Sequence, residues 1–223
     1  MNGSKGRRCV VILISGRGSN MLALLGDSRR ADCSYSIGAV FSDRADAAGL
    51  EAARRQGVSA AALPFEKGSD RGAYDRQLAA AIREYQPDLV VLAGFMRILS
   101  AEFVSVFEGK IMNIHPSLLP KYPGLHTHRR ALQAKEAEHG VTVHFVTAEL
   151  DAGPAIVQAR VPVAYDDTEE RLFARVQAQE HRIYPLAVRW FCEGRLRCEH
   201  NQAWLDGRAL HGPVQYAGQD AVP

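Results

Sequence analysis

Asn113, His115 and Asp151 have the side-chain types that acyl transfer needs. Asn113 and His115 stand two apart in Asn113-Ile114-His115-Pro116-Ser117, where an apolar run ends. On a strand, such neighbours point to the same face. An amide and an imidazole side by side can hold a carbonyl oxygen as it becomes an oxyanion. A protonated imidazole serves best, and a nearby carboxylate favours that form. Asp151, in the turn Asp151-Ala152-Gly153-Pro154, is the best-placed carboxylate in the sequence. The competing reading is a histidine that only makes structural hydrogen bonds. The strand-end position weighs against it, because open α/β sheets bind ligands at that edge.

A second group is Ser15-Gly16-Arg17-Gly18-Ser19-Asn20, between an apolar run and a helical pattern. Backbone amides and the helix dipole meet there, an arrangement suited to phosphate. Ser19 and Asn20 add side-chain donors and Arg17 adds charge. A dinucleotide site would want glycine at position 21, which is Met21, although Asp43 stands about where its acid would sit. A plain tight turn is the third reading.

Glu180 interrupts the apolar stripe Leu172, Val176, Ile183 and Ala187 of a long helical segment. A buried carboxylate must be paired or hydrogen-bonded. It is either a structural ion pair or a group that reaches into a cleft. Residues 93–99 (AGFMRIL) follow another apolar run and could wrap a flat heterocycle or simply pack in the core. Five of the eight histidines lie between His115 and His144, but without the spacing of a zinc site.

These groups need a scaffold, and the pattern supplies one. Residues 9–14, 35–41, 58–63, 88–93 and 110–114 read as strands. Helices are expected from about Ser19, over 45–56, after a cap at Ser69, and from Ser100 to Phe107. That alternation implies right-handed crossovers and a parallel sheet. Residues 115–127 read as a long loop. Residues 141–147 and 155–163 read as an antiparallel pair. A long helix follows from Asp167, with Glu170 completing a capping box and Pro185 kinking it. Residues 196–200 and 203–205 look like short strands. Residues 1–8 are expected as a mobile leader and 9–208 as one domain of two halves, 9–108 and 109–208. Residues 209–223 are expected as a loose tail.

Composition bounds the rest. The 223 residues carry 27 basic and 25 acidic side chains, a net +2, which argues against a nucleic-acid or membrane-coating protein. Mean hydropathy is −0.17 and no run suits a membrane helix. The four cysteines lack CxxC spacing and are expected to be reduced, in a cytoplasmic protein.

The stretches ISGRGSN, AGFMRILS, NIHPSLLPKYPGLHTHRRAL, HFVTAELDAGP, VQAQEHRIYPL and AWLDGR carry a resemblance. They are similar to the phosphoribosylglycinamide formyltransferases, within the formyl-folate transferase and hydrolase group. The resemblance implies a three-layer α/β/α sandwich around a mostly parallel sheet with an antiparallel strand in its second half, 9–108 being the nucleotide-binding half and 109–208 the catalytic, folate-binding half. It implies formyl transfer from 10-formyltetrahydrofolate, as co-substrate, to the amine of glycinamide ribonucleotide by direct attack, with no metal. Asn113, His115 and Asp151 match the catalytic trio, with His115 as acid and Asp151 keeping it protonated. Gly18, Ser19, Asn20, Gln177 and Glu180, with Arg17 beside them, match the nucleotide site. Arg71, Met96, Arg97, Ile98, Leu99, Thr147, Ala148, Glu149 and Leu150, together with Asn113 and Asp151, match the folate site. The expected partners are small molecules, and the expected assembly is a monomer or weak homodimer. The alternatives are a 10-formyltetrahydrofolate hydrolase or another formyl-folate transferase, and a dinucleotide-binding sensor.

Overall fold

A computed structural model of the chain describes residues 6–66 and 68–218. Most of the expected leader (residues 1–5) and the last part of the expected tail (219–223) lie outside the described residues.

The first half delivers the expected alternation: β1 (Arg8–Ile14), α1 (Ser19–Ser28), β2 (Tyr35–Ser42), α2 (Ala48–Arg55), β3 (Ser59–Ala62), α3 (Arg71–Arg83), β4 (Leu89–Leu92), α4 (Ala101–Val106) and β5 (Ile111–His115). The second half adds α5 (Thr127–Gln133), β6 (Glu138–Phe145), β7 (Ala155–Pro162), α6 (Glu169–Cys192), β8 (Leu196–Glu199), β9 (Gln202–Leu205), β10 (Arg208–Ala209) and β11 (Val214–Gln215).

Eight strands form one sheet in the order β11-β7-β6-β5-β4-β1-β2-β3. Strands β5, β4, β1, β2 and β3 are parallel, and β6 runs antiparallel to both β5 and β7. Alternation along β1 separates two cores. Val10, Ile12 and Ile14 pack with α1, α2 and α6, while Val11 and Leu13 pack with α3 and α4. Helices therefore cover both faces, giving the α/β/α sandwich. The chain leaves β1 towards β2 and returns on the other side with β4, so a crevice opens between the carboxyl ends of β1 and β4.

Several boundaries differ from the sequence reading. Asp70 caps α3 in place of Ser69, accepting the Gly72 N–H. Thr168 caps α6, accepting the Arg171 N–H, because the Asp167 carboxylate is occupied by the Ala164 N–H and by Arg175. Helix α6 continues through Pro185. Within the tail expected to be loose, Val214–Gln215 adds an edge strand to β7, and the Tyr216 N–H donates to the Gln158 carbonyl. Arg8, assigned to the leader, opens β1. All four cysteines are free. No described helix is long and apolar enough to cross a membrane.

Candidate active site

Strand β5 ends at the crevice edge and puts Asn113 beside Leu92 of β4. The segment after β6 then folds back and brings Asp151 to His115. Gly153 makes this possible: a Cβ there would sit 1.9 Å from the Phe145 carbonyl oxygen. His115 Nδ1 lies 3.4 Å from Asp151 Oδ2, and both side chains are under a tenth exposed. His115 Nε2 lies 2.9 Å from the Tyr122 carbonyl oxygen. A proton on either nitrogen thus finds an oxygen. The Gly124 N–H donates to Asp151 Oδ2 at 2.8 Å, which ties the 116–126 loop to the carboxylate. Tyr122, His126 and Asp151 all have positive φ (57°, 59° and 53°), so part of the chain's backbone cost falls at this cluster.

His144, which the sequence offered only as one of five clustered histidines, completes the cluster. His144 is the antiparallel partner of Asn113. Burial lowers its pKa to about 4, so the ring is neutral near pH 7. Its Nδ1 lies 2.8 Å from the Phe145 carbonyl, which can only accept, so Nδ1 carries the proton. Nε2 is then an acceptor, and Asn113 Nδ2 donates to it at 3.2 Å. One amide proton of Asn113 is fixed this way and the other remains for a ligand.

Gly18 caps α1 at φ 73°, ψ 37°, and no side chain caps the helix. Asn20 Nδ2 donates to Glu180 Oε2 at 2.7 Å, and Gln177 Nε2 donates to Ser19 Oγ at 3.2 Å. Glu180 is 7% exposed, and its partner is this amide rather than a cation. Burial pushes its pKa up, opposed by the Asn20 hydrogen bond. One turn further along α6, Tyr184 donates its hydroxyl to the carbonyls of Leu92 and Met112, at 2.8 and 3.0 Å. Tyr184 thereby fixes the Glu180 turn of α6 against the strand ends that carry Asn113. Arg17 lines an open cleft of about 200 Å³ with Arg44 and Asp46, on the α2 side of the turn.

Hydrogen bonds thus link the turn to α6 and α6 to the ends of β4 and β5. Residues 8–188 match the family model described as "Formyl transferase". The chain belongs to the formyl transferase family. A phosphoribosylglycinamide formyltransferase of Escherichia coli is 54% identical over 95% of this chain and 99% of that protein. The human trifunctional purine biosynthetic protein adenosine-3 is 41% identical over 86% of this chain, which spans 19% of that protein. A solved phosphoribosylglycinamide formyltransferase from Coxiella burnetii superposes with a TM-score of 0.88 at 47% identity, covering 93% of this chain and 99% of that one.

The remaining residues expected from the formyl transferase resemblance divide in two. Met96, Ile98 and Leu150 expose large apolar side chains (68%, 51% and 49%), whereas Leu99 is buried. Arg71 reaches the Ile98 carbonyl from the start of α3. Thr147 Oγ1 donates to the Glu149 carbonyl and shapes the segment that runs through Ala148 to Asp151. The Arg97 guanidinium is occupied on the rings of Phe65 and Tyr74, with Cζ 3.4 Å and 4.7 Å from their centroids. Asp43, the residue behind the dinucleotide reading, accepts a hydrogen bond from the Ser15 hydroxyl at 2.6 Å. Among the described residues no group of three or more His, Cys, Asp or Glu is placed to hold a metal ion.

Proposed function

We propose that this formyl transferase moves the formyl group of 10-formyltetrahydrofolate to the amine of glycinamide ribonucleotide, releasing formylglycinamide ribonucleotide and tetrahydrofolate. The observation that carries the reading is the shared crevice. The donor-rich α1 turn with Gln177 and Glu180 lies on one side, and the Asn113–His115–Asp151 cluster on the other. The names of the relatives point the same way.

The nucleotide phosphate sits at the uncapped start of α1, on the amides after Gly18 and the side chains of Ser19 and Asn20. Glu180 and Gln177 take the sugar or glycinamide end. The exposed side chains of Met96, Ile98 and Leu150 cover the folate ring, and Arg71 faces its acidic tail. The amine nitrogen attacks the formyl carbon. The carbonyl π pair moves to oxygen, which is held by the free Asn113 amide proton and by His115. For that, the formyl oxygen takes the place of the Tyr122 carbonyl at Nε2. The nitrogen–carbon bond to folate then breaks, with a proton delivered to the leaving nitrogen as the attacking nitrogen loses one. Held geometry and a preorganised oxyanion site are the main sources of rate.

The test is product formation. Purified protein given both substrates should yield formylglycinamide ribonucleotide; folate release with no acceptor present would identify a hydrolase instead. Glu180→Ala should raise the nucleotide Kd by about tenfold or more, because it strands Asn20 and removes a charge-assisted contact. Isothermal titration reads this directly, and a wild-type Kd would remove Glu180 from the nucleotide site.

A further inference from the structure

Four segments close a circuit behind the folate side of the crevice. The Ser15 N–H donates to the Gly94 carbonyl at 3.1 Å, and the Met96 N–H donates to Ser15 Oγ at 2.8 Å. The same hydroxyl donates to Asp43 Oδ1 at 2.6 Å. The Phe65 N–H donates to the Asp43 carbonyl at 3.0 Å, and the Phe65 ring lies under the Arg97 guanidinium. Tyr74 stands edge-on to Phe65 and donates its hydroxyl to the Leu63 carbonyl at 2.9 Å. Residues 94–97 are thus held by two hydrogen bonds to Ser15, at Gly94 and Met96, and by one cation–π stack at Arg97.

We infer that Ser15, Asp43 and Phe65 are positioning residues for the folate pocket: they fix the 94–99 segment in register with the phosphate turn. This rests on the formyl-transfer reading of the crevice. The Ser15 side chain joins the two elements. It opens the turn that leads to Gly18, and its hydroxyl orients the Met96 amide. Met96 and Ile98 are exposed, so their placement depends on the backbone behind them rather than on packing of their own. A Ser hydroxyl can rotate; the Asp43 carboxylate accepts its proton and so aims its lone pair at the Met96 N–H. The Phe65–Arg97 stack holds the next residue by a different force. Asp43 therefore has a use that involves no dinucleotide.

The experiment compares Ser15→Ala, Asp43→Ala, Asp43→Asn and Phe65→Leu with wild type. Tetrahydrofolate binding is titrated directly, and KM is measured for each substrate. Ser15→Ala should weaken tetrahydrofolate binding about five- to tenfold, the size of one lost hydrogen bond. Asp43→Ala and Phe65→Leu should weaken it in the same direction, and Asp43→Asn, which keeps an acceptor oxygen, should restore it. The nucleotide KM should stay within about twofold, because the donors at Gly18, Ser19 and Asn20 are untouched. The double variant Ser15→Ala/Phe65→Leu should lose less than the product of the two singles, since both release one segment. Unchanged tetrahydrofolate binding in Ser15→Ala, or equal loss for both ligands, would overturn the assignment. A wild-type protein that binds tetrahydrofolate but forms no product would fail the formyl-transfer reading and leave the binding comparison to decide this one.

Discussion

His115→Ala is expected to lower kcat by about 10²-fold or more, the size typical of losing a preorganised oxyanion contact, with nucleotide Kd near that of wild type. The two effects separate because His115 and the α1 turn lie on different elements, β5 and the β1–α1 connection. Asp151→Asn is the sharper companion. An asparagine there can keep its oxygen where Asp151 Oδ2 receives the Gly124 N–H, so the loop stays tied. Its new NH2 then faces His144 Nε2, an acceptor, 3.8 Å from the present Oδ1. The shape survives and the charge goes. A kcat loss of about 10²-fold in Asp151→Asn, with an unchanged melting temperature, would show that the charge beside His115 matters to the reaction. Near-wild-type turnover would break the proposed pairing. Stopped-flow or steady-state rates with saturating substrates make the comparison.

Much of this arrangement was legible in the sequence for a physical reason. Continuous apolar runs such as residues 9–14 mark strands buried on both faces, and they fix the sheet and hence its carboxyl edge. Asn113 and His115 could be paired from period two alone. Glu180 stood out because a carboxylate in an apolar stripe needs a partner, and the partner proved to be Asn20. What the sequence hid depends on register and on backbone groups. His144 reaches Asn113 only through the antiparallel pairing of β5 with β6, and nothing local encodes that register. The Tyr122 carbonyl and the Gly124 N–H are main-chain atoms with no side-chain signature. Tyr184 sits one turn after Glu180, but its hydroxyl bonds to strand carbonyls that are distant in sequence. The caps at Asp70 and Thr168 were each misplaced by one residue, because adjacent Ser-Asp and Asp-Thr pairs both offer oxygens and tertiary contacts choose between them.

The same buried histidines make stability depend on pH, and the expected outcome is a steep loss between pH 6.5 and 4. His139 and His144 both have their pKa lowered to about 4, chiefly by burial. In the unfolded chain each returns to near 6.5, so the unfolded state binds more protons throughout that window. Their contribution is complete above pH 6.5 and is lost as pH falls towards 4. A fall from 6.5 to about 4 is worth roughly 3 kcal/mol per histidine. Glu180 works the other way: its raised pKa favours the folded state as pH falls. It is one group against four, because burial also lowers the pKa of His128 and His181, and its Asn20 bond already offsets part of its burial. The histidines therefore win, and urea unfolding free energy should fall with a slope approaching about 1.4 kcal/mol per pH unit for each histidine. His139 is the cleaner residue to replace, since its ring packs on the His128 and Tyr122 rings, whereas His144 bonds directly to Asn113. His139→Gln should remove about one proton's worth of slope between pH 6.5 and 4.5, whatever it costs at pH 7.5. An unchanged slope would mean that His139 takes up its proton without unfolding the chain. The protein would then have a route for water to a side chain that is 1% exposed.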